Sequence, residues 1–362
     1  MHQSLYIVEL SEVSFDEPTH NTLKSIIYLY GKPEKGFLCS NKRRGVISMS
    51  NLKKVAILGA GVMGTGIAQA FAMKGHEVMI INVYKDAETA HPIEVMTSNL
   101  EVLCENGVFE KERIPEVIGK VSRTSSLEEA AQFADIIFEC IVEKLETKQE
   151  YFAKLDELCP ESTILCSNTS AISITEIAET SVHKERIIGT HFWNPAYLIP
   201  LVEVIKTKYV SDEVVNETYR ILEEAGRSPV IVQKDVPGFL ANRLQHALFR
   251  EAISIVEKGI ATPEDVDKAI KTGFGLRLGV RAPFEVMDAG GLDLTYNIHK
   301  YVFPHIEDSH EPSPLLVKLL EEGKNGFRTG EGFMKWSEED IAASQKNLIE
   351  GIIKVAKALD RL

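Results

Sequence analysis

The sequence predicts an α/β fold: a doubly wound parallel sheet followed by a mostly helical C-terminal domain. Three observations predict it. Short apolar runs alternate with helical patterns from Lys53 to about residue 236, the rhythm of strand–helix–strand units. The first run leads into a glycine-rich turn, Gly59-Ala60-Gly61-Val62-Met63-Gly64, that opens a helix. From Gly238 onward the alternation stops, and Leu244, Leu248, Ala252, Ile255 and Val256 recur at helical spacing.

Length and composition bound the rest. A chain of 362 residues has room for about two domains. It is 44% hydrophobic and 26% charged, which suits a packed core and excludes a disordered, collagen-like or disulfide-scaffold chain. The net charge of −13 argues against nucleic-acid binding, which needs a basic surface. No apolar run approaches the roughly 18 residues that span a bilayer, so no membrane partner is expected. Cys39, Cys104, Cys140, Cys159 and Cys166 are odd in number and scattered. They read as free or buried thiols of a cytoplasmic protein, with no disulfide framework and no metal site.

Residues 1–48 differ in texture from the remainder. They carry five acids and six bases and therefore +1 of the total charge. They lack the basic start and apolar stretch of a secretory signal, and their acids do not suit a transit peptide. The expectation is a loose extension or an over-long gene start, with strong patterning beginning at Lys53.

Each element of the α/β part can be justified in order. Val55–Leu58 reads as a buried parallel strand, and the helix after the glycine turn shows Ile67, Ala68, Phe71 and Ala72 on one face before Gly75 ends it. Val78–Ile81 is the second strand. A strand–GxGxxG–helix–strand unit is the context of a dinucleotide site and of a Rossmann-type domain. Gly59 permits the tight turn, Gly61 lets the backbone approach a pyrophosphate, and Gly64 lets helix and strand pack closely. Val62 and Met63 complete the run, and the helix N-terminus offers free N–H groups to phosphate. Where such domains place an acid for the ribose, at the end of the second strand, stands Asn82. NAD is the expected cofactor. NADP remains open, because Asn82 does not repel a 2′-phosphate and Lys85 follows.

Further along, Ser126-Leu127-Glu128-Glu129 is a capping box opening a short helix. Asp135–Ile141 is a strand, a helix follows near Glu146–Leu158, and Ser162–Cys166 is another strand. Ligands in such sheets gather at the carboxyl ends of strands, so Glu143, Ser167–Ser170 and His191 are candidates for chemistry. Leu201-Val202-Glu203-Val204-Ile205 is an apolar strand with an acid at its centre. That acid is costly to bury unless paired, and His191 is the natural partner. Such a pair supplies what alcohol oxidation needs: a base for the hydroxyl proton and a carboxylate to orient it.

These segments resemble the 3-hydroxyacyl-CoA dehydrogenase family, 3-hydroxybutyryl-CoA dehydrogenases included, from Val55 to about Trp336. The specific runs are Ser167-Asn168-Thr169-Ser170, His191-Phe192-Trp193-Asn194-Pro195, Leu201–Ile205, Asp235-Val236-Pro237-Gly238-Phe239-Leu240-Ala241-Asn242-Arg243 and Thr329-Gly330-Glu331-Gly332-Phe333. The resemblance implies that His191 is the catalytic base and Glu203 its paired acid. It implies that Ser170 bonds the substrate oxygen, and that Asn194 and Asn242 line the same site. Glu143, Lys148 and Arg328 match cofactor-side residues, and Ser98 matches a serine that contacts CoA. From sequence alone Asn242 also reads as a helix-start residue of the Pro237-Gly238 turn.

The domain boundaries follow as an extension (1–50), a cofactor domain (51–236), a helical substrate and dimerisation domain (237–336) and a C-terminal helix (337–362). The expected substrate is a short (S)-3-hydroxyacyl-CoA, and the expected assembly a homodimer. The chain departs from the family between Asn82 and Asn106, where Lys85 is the one Lys or Arg and the phosphates of CoA would want cations. Two alternatives therefore stand: a dehydrogenase of a non-CoA hydroxy acid or hydroxymethyl ring compound, and a non-catalytic dinucleotide-binding or structural protein.

Overall fold

The structure is a computed structural model describing residues 52–82 and 91–361. The expected extension and Lys85 lie outside the described residues. In chain order the elements are β1 (Lys54–Leu58), α1 (Val62–Ala72), β2 (Glu77–Ile81), α2 (Pro92–Glu105), α3 (Ile114–Ile118), β3 (Val121–Thr124), α4 (Leu127–Phe133), β4 (Ile136–Glu139), α5 (Leu145–Leu158), β5 (Ile164–Ser167), α6 (Ile174–Ile177), β6 (Ile187–Phe192), β7 (Leu201–Ile205), α7 (Asp212–Glu224) and β8 (Ser228–Val232). Helices follow: α8 (Ala241–Glu257), α9 (Pro263–Thr272), α10 (Phe274–Leu278), α11 (Pro283–Gly290), α12 (Leu292–Val302), α13 (Pro314–Glu321) and α14 (Glu338–Ala358).

The strands make one sheet in the order β3-β2-β1-β4-β5-β6-β7-β8. Every pairing is parallel except β6 with β7. The apolar runs are unbroken because both faces of each central strand are covered. Successive side chains point to opposite faces: Val55 and Ile57 enter the core beneath α1, α2 and α7, while Ala56 and Leu58 enter the core beneath α4, α5 and α6. Burying each Val, Leu or Ile stabilises the sheet by roughly 1.5–3 kcal/mol. Phe71, Phe138 and Phe192 link helix to sheet, with ring centroids 5.1 and 5.6 Å apart.

The strand order reverses between β1 and β4, and ligand crevices open at such a switch point. Two strands escape a reading of apolar runs. β3, Val-Ser-Arg-Thr, has no fully buried residue, and β8 contains Pro229. Both are edge strands, where partial exposure and a missing N–H are tolerated. The strand expected over Asp135–Ile141 is shorter, at Ile136–Glu139, and the Asp135 carboxylate before it accepts the Lys54 N–H at 2.9 Å.

The C-terminal helices are packed differently. α8 buries only Ser254, and α9 to α13 bury no residue at all among those described. α14 instead returns to the sheet domain. A capping box of Ser337 and Asp340 starts it, Ile353 enters the core beside Met96 and Leu100, and Lys357 Nζ donates to Asn106 O at 3.0 Å.

Candidate active site

The glycine turn has the three properties its sequence predicts. Gly59 has φ +116°, and a Cβ there would stand 2.6 Å from the Cys140 carbonyl oxygen. A Cβ on Gly64 would stand 2.0 Å from Gly59 O, so any side chain would separate helix from strand. A Cβ on Gly61 would meet no atom within 4 Å: its outer side is open to a ligand. The first turn of α1 carries no acidic side chain, so its N–H groups suit an anion. These residues border a cavity of about 780 Å³ whose lining includes Gly59, Gly61, Val62, Asn82 and Asn194. Met63 packs against the core instead. The turn fits the pyrophosphate of a dinucleotide.

His191 and Glu203 are direct cross-strand partners on the antiparallel β6–β7 pair, the register that brings opposed side chains together. His191 Nδ1 lies 2.7 Å from Glu203 Oε2, and Nε2 lies 3.1 Å from Ser170 Oγ. With the carboxylate ionised, Nδ1 carries the proton and Nε2 is left as the acceptor. Glu203 is fully buried and accepts three further hydrogen bonds. The Trp193 indole donates at 3.2 Å, and the backbone N–H groups of Leu240 and Ala241 donate at 2.8 and 2.9 Å. Burial alone would raise its pKa, but these donors and His191 outweigh that cost and hold it below the ordinary carboxylate value. Because the last two donors open α8, the helix dipole adds to the effect. The turn into α8 needs left-handed backbone at Gly238 (φ 75°) and Phe239 (φ 47°), and the Phe239 ring lies 5.7 Å from the His191 ring.

A second buried network supports the serine. Lys148, 1% exposed, lies 2.6 Å from Glu139 and 3.2 Å from Glu143. Glu139 also accepts from the Ser167 hydroxyl at 2.7 Å and the Ile141 N–H at 2.8 Å. Glu143 accepts from the Thr169 hydroxyl and, at 3.2 Å, from the Ser170 N–H. Partial burial raises the Glu143 pKa, yet Thr169, Lys148 and the Ser170 N–H bring it below the ordinary value. A chain of contacts therefore runs from Glu139 through Lys148 and Glu143 to Ser170, His191 and Glu203.

Both lowered carboxylates carry the same sign of linkage. Each contributes stability above the ordinary carboxylate range and loses it as pH falls through the lowered value. Burial also lowers the pKa of His76, so the unfolded chain takes up that proton first and stability starts to decline near the ordinary histidine value of about 6.5. Stability is therefore expected to decrease from about pH 6.5 downward and to fall further below about pH 4 as the two carboxylates are protonated. A urea midpoint that stays level from about pH 7 to about 4 would contradict this.

The structure thus gathers Ser170, His191, Glu203, Glu143 and Lys148, and puts Asn194 on the cavity wall. Asn242 is the second residue of α8 and lines a separate cavity of about 730 Å³ with His246 and Arg250. Ser98 is exposed on α2, and Arg328 is exposed beyond α13. Neither borders the main cavity. The hydrogen bonds that Trp193 and the α8 N-terminus give to Glu203, and the part played by Glu139, went unrecognised in the sequence, although Trp193 stands in a matched run and Asn242 reads as a helix start. For Glu139 the signal was present: an acid in an apolar strand, as at Glu203. Burial pushes the Cys140 and Cys166 thiols up, and Cys159 to about 11, so none supplies a thiolate nucleophile.

A doubly wound sheet with a glycine-turn crevice and a buried histidine–carboxylate pair defines a nicotinamide-dependent oxidoreductase. The comparisons give its family. Residues 54–236 match the 3-hydroxyacyl-CoA dehydrogenase NAD binding domain, and residues 238–336 match the 3-hydroxyacyl-CoA dehydrogenase C-terminal domain. The chain belongs to the 3-hydroxyacyl-CoA dehydrogenase family. It is 37% identical to human mitochondrial hydroxyacyl-coenzyme A dehydrogenase over 295 residues, covering 79% of this chain and 91% of that one. It is 37% identical to a probable 3-hydroxybutyryl-CoA dehydrogenase of Bacillus subtilis, covering 80% and 99%. It is 30% identical over 312 residues to the 5-formyl-3-hydroxy-2-methylpyridine 4-carboxylate 5-dehydrogenase of Mesorhizobium japonicum, covering 85% and 99%. Among solved structures, an NAD+-dependent dismutase described as the dehydrogenase of that same pyridine compound superposes with a TM-score of 0.77 at 30% identity, covering 85% and 99%. The 3-hydroxybutyryl-CoA dehydrogenase of Escherichia coli gives 0.65 at 32% identity, covering 79% and 60%.

Proposed function

We propose that the chain interconverts a secondary alcohol and a ketone with NAD. The observation that carries this is the Ser170–His191–Glu203 relay, with Asn194 of the same segment on the wall of the dinucleotide cavity. His191 Nε2 takes the hydroxyl proton during oxidation and returns it during reduction. Glu203 holds the ring by Nδ1 and stabilises its protonated form. Ser170 and Asn194 donate hydrogen bonds to the substrate oxygen, where charge develops. Glu143 and Lys148 hold the backbone that presents Ser170. The glycine turn of Gly59, Gly61 and Gly64 would hold NAD, which would supply the acceptor for the hydride of the carbinol carbon. The names of the human and Bacillus relatives support a short (S)-3-hydroxyacyl-CoA as the substrate. A second reading, a hydroxy acid or ring alcohol without CoA, is supported by the pyridine-compound relative, whose alignment is the longer, 312 residues against 295.

The test mixes protein, NADH and acetoacetyl-CoA and follows NADH loss, then repeats it with free oxo acids and ring aldehydes. Turnover of acetoacetyl-CoA or of a free oxo acid supports the secondary-alcohol reading, and turnover of the ring aldehydes alone would replace it by oxidation of a primary alcohol. NADH binding without turnover of any would sink it in favour of a dinucleotide-binding protein. NADH is expected to show the lower KM of the two coenzymes. Asn82→Asp is expected to sharpen that preference about tenfold, since a carboxylate beside a 2′-phosphate costs about 1 kcal/mol or more. An unchanged ratio would place Asn82 away from the ribose.

We also propose a cytoplasmic homodimer. Leu244, Phe249, Leu292, Leu294 and Tyr301 are at least 46% exposed in the helical domain, and helices α9 to α13 bury no described residue, which supports a second copy as the cover for these helices. Sedimentation is expected to give twice the chain mass; a monomer at micromolar concentration would refute it.

A further inference from the structure

Glu203 is fully hydrogen-bonded. Its Oε1 receives the backbone N–H groups of Leu240 and Ala241, and its Oε2 receives both His191 Nδ1 at 2.7 Å and the Trp193 indole at 3.2 Å. These donors fill the acceptor sites of a carboxylate. Trp193 reaches that oxygen because side chains alternate along a strand. Phe192 turns into the core, while the rings of His191 and Trp193 lie 5.6 Å apart. Of these donors, the indole N–H alone belongs neither to the base nor to the backbone. It shares one oxygen with the base, so both draw on the same negative charge.

We infer that Trp193 is a positioning residue for the reaction: its indole N–H fixes Glu203 toward His191 and, by sharing Oε2, sets the pH midpoint of the reaction. The inference rests on the dehydrogenase reading above. A carboxylate that also serves a second donor stabilises a protonated imidazole less. Removing the indole N–H therefore strengthens the hold of Glu203 on the protonated ring, and the pH profile moves up. The other charged groups around His191 stay as they are. Glu143, with Lys148 and Glu139 behind it, reaches the ring through Ser170. The turn into α8 presents the Phe239 ring, and the Arg243 guanidinium there donates to Pro237 O.

The experiment measures kcat/KM against pH for reduction of acetoacetyl-CoA by NADH, with acetoacetate as the alternative ketone. It compares the full-length wild type with Trp193→Phe, Trp193→Leu, Glu203→Gln and the double variant Trp193→Phe with Glu203→Gln. Trp193 is only partly buried, so its variants are expected to keep urea midpoints close to wild type. Reduction consumes the proton on the ring, so the rate falls as pH rises. Trp193→Phe keeps an aromatic ring and loses the N–H, and its midpoint is expected about 0.5 pH unit above wild type. Trp193→Leu should give the same shift. Glu203→Gln should move the midpoint down, and adding Trp193→Phe should move it no further, because the indole acts through the carboxylate. A merely structural role would lower the rate at every pH and leave the midpoint in place. That outcome, a shift confined to Trp193→Leu, or a shift that persists beside Glu203→Gln overturns the inference and leaves the dehydrogenase reading standing. NADH binding by wild type without turnover of either ketone removes both together.

Discussion

Replacing His191 by alanine is expected to lower kcat by about 10²- to 10⁴-fold, the range for loss of a positioned general base. NADH affinity should hold, because His191 is 5% exposed and the glycine turn that receives the dinucleotide is built by other elements. The variant is also expected to fold. The cavity left at His191 opens toward Ser170, and Glu203 keeps three of its four donors: the Trp193 indole and the Leu240 and Ala241 N–H groups. Glu203→Gln is expected to cost less activity, since the ring keeps its hydrogen-bonding partner but loses the charge that stabilises its protonated form. Steady-state kinetics beside fluorescence titration reads both quantities. A His191→Ala enzyme within threefold of wild type would remove the histidine from the chemistry.

The largest stability effect is expected at Lys148. Lys148→Met removes the cation between Glu139 and Glu143 and leaves Glu139, which is fully buried, without its counter-charge. Breaking one half of a buried ion pair typically costs about 3–5 kcal/mol. Part of that loss should return in the double variant Glu139→Gln with Lys148→Met, because no uncompensated charge then remains inside. The comparison reads two urea midpoints against the wild type. A single variant less than about 1 kcal/mol destabilised, or a double variant no better than the single, would show that the pair is not coupled in this way. Activity gives a second readout: with Glu143 released, the Ser170 backbone loses an acceptor, and kcat should fall more than NADH affinity.

The chain by itself determined the sheet domain and most of the site. Unbroken apolar runs at Val55–Leu58 and Val78–Ile81 belong to strands covered on both faces, and no other pattern serves that geometry. The spacing of Gly59, Gly61 and Gly64 is fixed by a turn, an approach and a close packing that all lie within six residues, so local chemistry suffices. Glu203 was legible because a charge inside an apolar strand demands a partner. Glu139 carried the same signal, but its partner Lys148 lies on the next helix, and nothing in the local pattern couples a strand end to one turn of that helix. The edge strands β3 and β8 were illegible because a half-exposed strand needs neither apolar alternation nor a complete set of N–H donors.

Tertiary structure alone decided the rest. The antiparallel register of β6 on β7 sets His191 against Glu203, and the fold places the N-terminus of α8 beneath the same carboxylate. Contacts between residues tens of positions apart create both arrangements, and their energies exist only once the chain has closed. The same holds for α14. Its sequence announces a C-terminal helix, but only the closed fold brings Gln345, Leu348 and Ile349 to the cavity that the glycine turn borders.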